Sequence, residues 1–484
     1  MNTKLKNNLR ESSTQKTLFF AKTSLIIYMI YTFFFGVLLF NFINYDNSFI
    51  HKYDINRFLS NDISQDRIIL LENMNDASLK RINMIENAED YIDISAFKIH
   101  NDFFANILLS TLIDAADRGV EIRMIIDGLY NLLNVNIRNK LYSLNAHPNI
   151  HLKFYEPIRL LQPWTLNNRL HDKYIIVDNR IVLIGGRNIG DKYFDENYKG
   201  RISNDRDIAI INTDLNTTDN SVIHELREYF DYVWKHQYSR PPYQKIKNIQ
   251  ENRFNRQLDN MRDFLAKTKV SHPELFNKSI DWLGKSISTN NISLIHNPIE
   301  RFRKEPHVWY DITRLIEDAE KSVWVQSPYI IPTNDMLNYL DLDKINAKEI
   351  NIITNSLASS PNFFASSGYI RHRNNIADRV NKLYEYHGNG SIHAKSFVFD
   401  NRISLVGSFN VDSRSTYLST ETMMVIDSKE FACKLKNNIQ NQINQSVLVN
   451  EEKPATGLRL NTSFLKLGIV RIMSFLSSFF DYML

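Results

Sequence analysis

The sequence predicts an α/β protein of two tandem domains behind one N-terminal transmembrane helix, and three observations predict it. Residues Thr23 to Tyr45 carry no charge and include the apolar run Leu25 to Phe40. The two halves of the remaining chain each alternate short apolar runs with amphipathic helical stretches, the pattern of a parallel crossover. One motif also occurs in both halves. It reads Arg169-Leu-His-Asp-Lys-Tyr-Ile-Ile-Val-Asp178, running on to Gly185-Gly-Arg-Asn188, and Ser391-Ile-His-Ala-Lys-Ser-Phe-Val-Phe-Asp400, running on to Gly407-Ser-Phe-Asn410. In each copy Lys lies two residues after His, Asp seven, Gly fourteen and Asn seventeen.

The 484 residues, 43% of them hydrophobic, suffice to bury the cores of two or three domains. Residues 1–22 form a basic tail, with Lys4, Lys6, Arg10, Lys16 and Lys22 against Glu11. That tail accounts for the net charge of +4, so the body is neutral. A neutral body argues against a protein built mainly to grip nucleic acid. Residues 23–45 form the anchor, since about 20 apolar residues cross a bilayer as a helix. Asn41-Phe-Ile-Asn-Tyr-Asp46 offers no small-residue cleavage site, which favours an anchor over a signal peptide. The basic flank places the N-terminus in the cytoplasm and the body on the extracytoplasmic side. Cys433 is the only cysteine, so no intrachain disulfide or Cys-based zinc site exists.

The first domain, 46–240, opens with a helix over 76–89, where Leu79, Ile82, Ile85 and Ala88 make a stripe. A strand follows over 91–97, a helix over 103–118 closed by Gly119, and strands over 120–126 and 150–155 before the motif. Ser221 to His236 reads as a helix that Arg240-Pro-Pro242 ends. Residues 241–305 read as a polar, helical linker. The second domain, 306–440, repeats the plan. Glu317-Asp-Ala-Glu320 before Ser322-Val-Trp-Val-Gln326 parallels Glu86-Asn-Ala-Glu89 before Tyr91-Ile-Asp-Ile-Ser95. Glu349 to Ile353 and Lys382 to Tyr386 parallel the strands at Val120 and Ile150. Within the remainder, 441–484, Phe464 to Leu484 is amphipathic: either it lies in the membrane interface or it packs on the body.

The motif carries chemistry because side chains at i and i+2 of a strand share a face. His171 with Lys173, and His393 with Lys395, therefore project an imidazole and an ammonium into one space. Imidazole can attack or donate a proton near neutral pH, and Lys offers a phosphate a positive charge. Two facing half-sites would put two imidazoles around one phosphorus, one to attack and one to protonate the leaving oxygen. A covalent phosphohistidine follows from that arrangement. No second His stands at metal-ligand spacing, so no metal is expected. Asp178 and Asp400 complete the motif and are grouped with the catalytic residues, although the Asn-Arg after each is the chemistry of a turn.

In these residues the chain resembles the phospholipase D superfamily, whose signature is His-x-Lys, four residues, Asp, then Gly-Gly or Gly-Ser with a downstream Asn. Gly185 to Phe194, Gln326 to Pro332, Thr354 to Leu357 and Gly407 to Ser415 look most like bacterial cardiolipin synthases. The resemblance implies two domains related by a pseudo-twofold axis, one site between them, no metal and no organic cofactor. It implies a phosphatidyl group carried on one histidine and passed to a second alcohol, phosphatidylglycerol for a cardiolipin synthase, or to water in a phospholipase D. It assigns His171 as nucleophile and His393 as acid then base, an order the residues alone leave open. Asn188 and Asn410 become substrate-binding residues, and an acidic residue downstream orients each histidine: Glu421 after His393, and Asp205, with Asp207 as alternative, after His171. The expected partners are phospholipids, with phosphatidylethanolamine a candidate beside phosphatidylglycerol, in a monomer on the bacterial inner membrane. A superfamily nuclease and an inactive membrane scaffold are the remaining rivals; the anchor opposes the first and the intact His/Lys pairs the second. Trp164, Tyr329 and Phe363-Phe364 are candidate acyl contacts, and Arg371, His372 and Arg373 a candidate headgroup site, each weighed against a plain core or solvated role.

Overall fold

The computed structural model describes residues 2–43, 53–243, 248–276, 279–449 and 462–484. Two mixed sheets form the body. In the first, Tyr91–Ala96, Glu121–Asp127 and Ile150–Tyr155 run parallel. Beyond Tyr91–Ala96 the sheet continues antiparallel through Tyr174–Val177, Ile181–Gly185, Asp207–Asn212 and Asp66–Leu71. The second sheet repeats this order. Ser322–Gln326, Glu349–Asn355 and Lys382–Tyr386 are parallel, and Ser396–Phe399, Ile403–Gly407, Thr422–Asp427 and Asn291–His296 follow antiparallel. The helices Met74–Glu86 and Phe103–Asp117 cover the first sheet, and His307–Asp318 and Phe363–Ala377 the second.

The expected linker over 241–305 is corrected. Its helix, Asn248–Ser271, buries Phe254, Leu258, Met261 and Leu265 on the first domain. Ile287–Ser288 adds an edge to the first sheet, and Asn291–His296 opens the second sheet as Asp66–Leu71 opens the first. The second domain thus begins before residue 306, because this strand alternates too briefly to stand out of polar sequence. It also extends past 440, since Ser446–Leu448 pairs with Lys382–Tyr386.

One apolar cluster joins the halves. It takes Ile176 and Ile208 from the first sheet, Val398 and Met424 from the second, and Leu226, Phe230, Leu435 and Ile439 from the helices Val222–Lys235 and Lys429–Ile443. The N-terminal helix Asn2–Gly36 contributes to Gln15–Asn41, the one stretch among the described residues long and apolar enough to cross a membrane; Asn44 and Tyr45 of the expected anchor lie outside them. Tyr28 and Tyr31 donate hydrogen bonds to the carbonyls of Leu160 and Leu161, and Trp164 meets Phe35, so this helix is seated on the first domain. The helix Phe464–Ser477 packs on Phe363–Ala377 yet leaves Phe464, Ile472 and Phe475 exposed. One face of this segment thus lies on the body, and an apolar face is exposed.

Candidate active site

The two motif histidines stand at the seam between the domains, each placed by a two-residue strand borrowed across that seam. Arg169–Leu170 pairs in parallel with Ser419–Thr420, and the next residues in register are His171 and Glu421. Ser391–Ile392 pairs likewise with Ser203–Asn204, which brings His393 to Asp205. A buried amide and a buried carboxylate hold the strands: Asn355 exchanges two hydrogen bonds with the backbone of Ile392, and Asp127 accepts from the Leu170 N–H in the corresponding place.

The orienting carboxylates are thus exchanged between halves. His171 Nδ1 lies 2.8 and 3.0 Å from the two oxygens of Glu421, and His393 Nδ1 bonds Asp205. The resemblance implied the opposite pairing, Glu421 with His393 and Asp205 with His171. The correction has a physical reason: strand register across the seam, rather than distance along the chain, decides which carboxylate meets which imidazole. Asp207, the alternative, is taken up by Arg81 and Arg187 and does not reach a histidine. With each Nδ1–H donating to a carboxylate, Nε2 of each ring is left for chemistry.

Both histidines line one cavity of about 210 Å³, with Asn410, Tyr329, Phe364 and Ser415 among its walls. Lys173 bonds the carbonyl of His171 and Lys395 that of His393, so each ammonium is fixed beside its own ring. Lys395 Nζ also stands 2.9 Å from His393 Nδ1, but an ammonium accepts no proton, so a protonated Nδ1 belongs to Asp205. Phe97 meets the His171 ring edge-on at 4.9 Å and Tyr193 meets His393 at 5.6 Å, which limits ring rotation.

The electrostatics differ between the half-sites. Burial and the neighbouring lysines push both imidazoles down, His171 well below its ordinary value and His393 to about 4. Burial pushes Glu421 up to about 7, against the pull of Lys173 and the Ser408 hydroxyl. Burial would raise Asp205 as well, but Lys395 and His393 outweigh it and hold that carboxylate well below the usual range. Lys173 itself is pushed down to about 7 by burial.

Asp178 and Asp400 are not at the histidines. Asp178 accepts from the backbone N–H groups of Glu89, Asp90 and Tyr91, and Asp400 from those of Glu320, Lys321 and Ser322. Both sit with φ of 52° at the start of a hairpin turn. Each clamps the loop before the central strand of its sheet, so the expected place in the catalytic set is corrected to a structural one. The reason is the length of the intervening strand: Tyr174–Val177 and Ser396–Phe399 each carry the chain away from the histidine, so Asp178 and Asp400 fall in the turn at the far end.

Asn410 lines the cavity, while Asn188 lies beside Lys173 in an adjoining cleft and donates to the Tyr193 hydroxyl at 3.0 Å. The Oδ1 atoms of both are buried without partners, which leaves each amide free to meet a ligand. Tyr329 and Phe364 line the cavity; Trp164 packs beside Phe35 instead. Arg371 pairs with Asp481 and Arg373 with Glu385, so the expected headgroup site is a set of ion pairs. Thr420 was missed: its hydroxyl accepts from the His171 N–H and donates to buried Asp172. Only its position one residue before Glu421 signals it.

A duplicated α/β fold with a histidine from each half on one cavity, each beside its own motif lysine, is the arrangement of the phospholipase D superfamily. Within it, the model for "Cardiolipin synthase, PLD-like domain" matches residues 81–234 and 312–443. The chain belongs to that family. Cardiolipin synthase C of Escherichia coli K12 is 28% identical over 418 residues, covering 77% of this chain and 84% of that one. A Helicobacter pylori protein is 27% identical over 423 residues, 78% and 79% of the two chains, and a Staphylococcus aureus cardiolipin synthase 26% over 356 residues, 73% and 63%. Among solved structures, the phosphatidylserine synthase of Haemophilus influenzae superposes with a TM-score of 0.62 at 15% identity, covering 90% of this chain and all of that one. That likeness concerns the fold.

Proposed function

We propose that this chain is a membrane-anchored phosphatidyltransferase that makes cardiolipin through a phosphohistidine. The observation that carries the reading is the pair of imidazoles on one cavity, each with Nδ1 bound to a carboxylate from the opposite half. His171 Nε2 attacks the phosphorus of a bound phospholipid, the bond to the headgroup oxygen breaks, and His393 Nε2–H protonates that oxygen as it leaves. His393 then takes the proton from the hydroxyl of phosphatidylglycerol, whose oxygen attacks the phosphorus and releases His171. Lys173, Lys395 and the Asn188 and Asn410 amides hold the phosphate oxygens as charge moves through them.

The unequal carboxylates favour this division of labour. A firmly ionised Asp205 stabilises an imidazolium at His393, whereas Glu421, near 7, is a weaker counter-charge for His171. The apolar anchor and the free face of Phe464–Ser477 suit an enzyme that draws lipid from a bilayer, with the body on the extracytoplasmic side. All groups named belong to one chain, so a monomer is sufficient.

The test is a product assay in detergent: labelled phosphatidylglycerol, with and without phosphatidylethanolamine, for the wild type and for His171→Ala and His393→Ala. Label in cardiolipin that disappears in both variants supports the reading. Phosphatidic acid as the sole product makes the chain a hydrolytic phospholipase D, and no lipid product at all refutes the proposal.

A further inference from the structure

The cavity that holds both histidines also contains a cation whose side chain has no hydrogen-bond or ion-pair partner among the described residues. Two arginines line it. Arg169 is engaged in structure through both terminal nitrogens: its guanidinium faces Asp127 and donates to the carbonyls of Glu156 and Thr165. The Arg414 guanidinium makes no hydrogen bond and no ion pair among the described residues, although its backbone is fixed at both ends. The Arg414 N–H donates to a backbone oxygen of Leu484, and its own carbonyl accepts from the Leu418 N–H. It is half-buried, and its charge is among those that depress His171. Asp412, in the same wall, is occupied in capping the turn through the Ser415 N–H. The motif lysines, Lys173 and Lys395, are tied to the carbonyls of their own histidines.

A guanidinium left unpaired in a part-buried cavity is costly unless a ligand completes it, and its planar fork matches the two free oxygens of a phosphodiester. The reacting phosphate is already served by two lysines. A second anion in the same cavity has one chemical source in a transfer reaction: an acceptor alcohol that carries its own phosphodiester. Phosphatidylglycerol is such an acceptor, with its attacking hydroxyl separated from its phosphate by one glycerol. The duplication supports a dedicated role. At the matching place in the first half stands Lys192, whose ammonium lies 4.8 Å over the Tyr193 ring and which does not line this cavity. Each histidine thus has its own lysine, and of the two arginines lining the cavity the first half's Arg169 is paired with Asp127, while the second half's Arg414 has no ion-pair partner among the described residues.

From this we infer that Arg414 is a specificity-determining residue that binds the phosphodiester of the acceptor lipid. Resting on the phosphatidyltransferase reading above, the inference makes the acceptor an anionic lipid alcohol. Held this way, the acceptor hydroxyl is presented to the phosphohistidine ahead of water or a neutral alcohol.

The experiment supplies detergent-solubilised full-length protein with labelled phosphatidylglycerol in the presence of ethanol and measures cardiolipin and phosphatidylethanol together. In Arg414→Gln the ratio of cardiolipin to phosphatidylethanol falls about tenfold or more, the scale of one lost charge-assisted contact, through a raised apparent KM for the acceptor. Arg414→Lys, which keeps the charge and loses the fork, gives an intermediate ratio. An unchanged ratio in Arg414→Gln overturns the inference, and so does equal loss of both products, which would place Arg414 at the reacting phosphate. Phosphatidylethanol without cardiolipin in the wild type removes the anionic acceptor while leaving the phosphohistidine intact. Neither product in the wild type defeats the underlying function as well.

Discussion

The two half-sites start from the same motif and end with different chemistry. Around His171 the second half supplies a long carboxylate, Glu421, which also accepts from the Ser408 hydroxyl. Around His393 the first half supplies a short one, Asp205, and the residue equivalent to Ser408 is Gly186. A Cβ built on Gly186 would stand 2.2 Å from Asp205 Oδ1, so no side chain fits there. The shorter carboxylate must approach closely, and glycine makes the room; the longer one leaves space for a hydroxyl. One pair of correlated choices thus divides a duplicated site into an ionised, acid-supporting half and a partly protonated half.

The comparison breaks most visibly at the histidines. His171→Ala and His393→Ala each lower cardiolipin formation on the order of 10⁴-fold. The halves separate with a donor bearing a good leaving group such as p-nitrophenol, where His393→Ala still releases nitrophenol and His171→Ala does not; equal loss in both would erase the asymmetry. Next come the carboxylates. Asp205→Asn reduces turnover on the order of 100-fold and Glu421→Gln less, since Glu421 is already half neutral near pH 7, and kcat for the two variants checks the order.

Smaller effects sharpen the same contrast. Gly186→Ser displaces Asp205 and costs activity and about 2 kcal/mol of stability, while Ser408→Gly removes the hydroxyl that donates to Glu421 and accepts from the Thr422 N–H, and costs about 2 kcal/mol with Glu421 left in place, read from chemical denaturation. At Asp178 and Asp400 the halves behave alike: alanine at either removes three backbone contacts and destabilises by about 1–3 kcal/mol with near-normal turnover of the folded fraction. A large loss of kcat in either variant would return these residues to the catalytic set.

Glu421 also leaves a signature in stability against pH. Its folded value is raised from 4.5 to about 7, so its contribution is fully present below about 4.5 and is lost as pH rises through 7. Glu421→Gln flattens that decline, and melting temperatures across this window measure it. A slope identical to the wild type would contradict the buried, protonated carboxyl.

Much of this was legible along the chain because it is local. Strand alternation put His171 with Lys173 and His393 with Lys395, and the repeated Glu-x-Ala-Glu landmarks marked the loops that Asp178 and Asp400 clamp. Amphipathic periodicity set the helices near 76–89, 103–118 and 221–236. The strand Asn291–His296 escaped notice because it is short and set in polar sequence, so its pairing with Thr422–Asp427 supplies what periodicity does not.

By itself the sequence determined the duplication, the apolar anchor and the reacting groups, since these depend on composition and on spacings of a few residues. The turn chemistry of Asp178 and Asp400 was legible in the Asn-Arg after each, whereas the tertiary structure alone decided which carboxylate serves which histidine and that Arg414 faces the cavity without an ion-pair partner among the described residues. The pairing of carboxylate and histidine arises from strand register across the seam between residues as far apart as His171 and Glu421. Such contacts form only when both halves have folded and their shared core has closed.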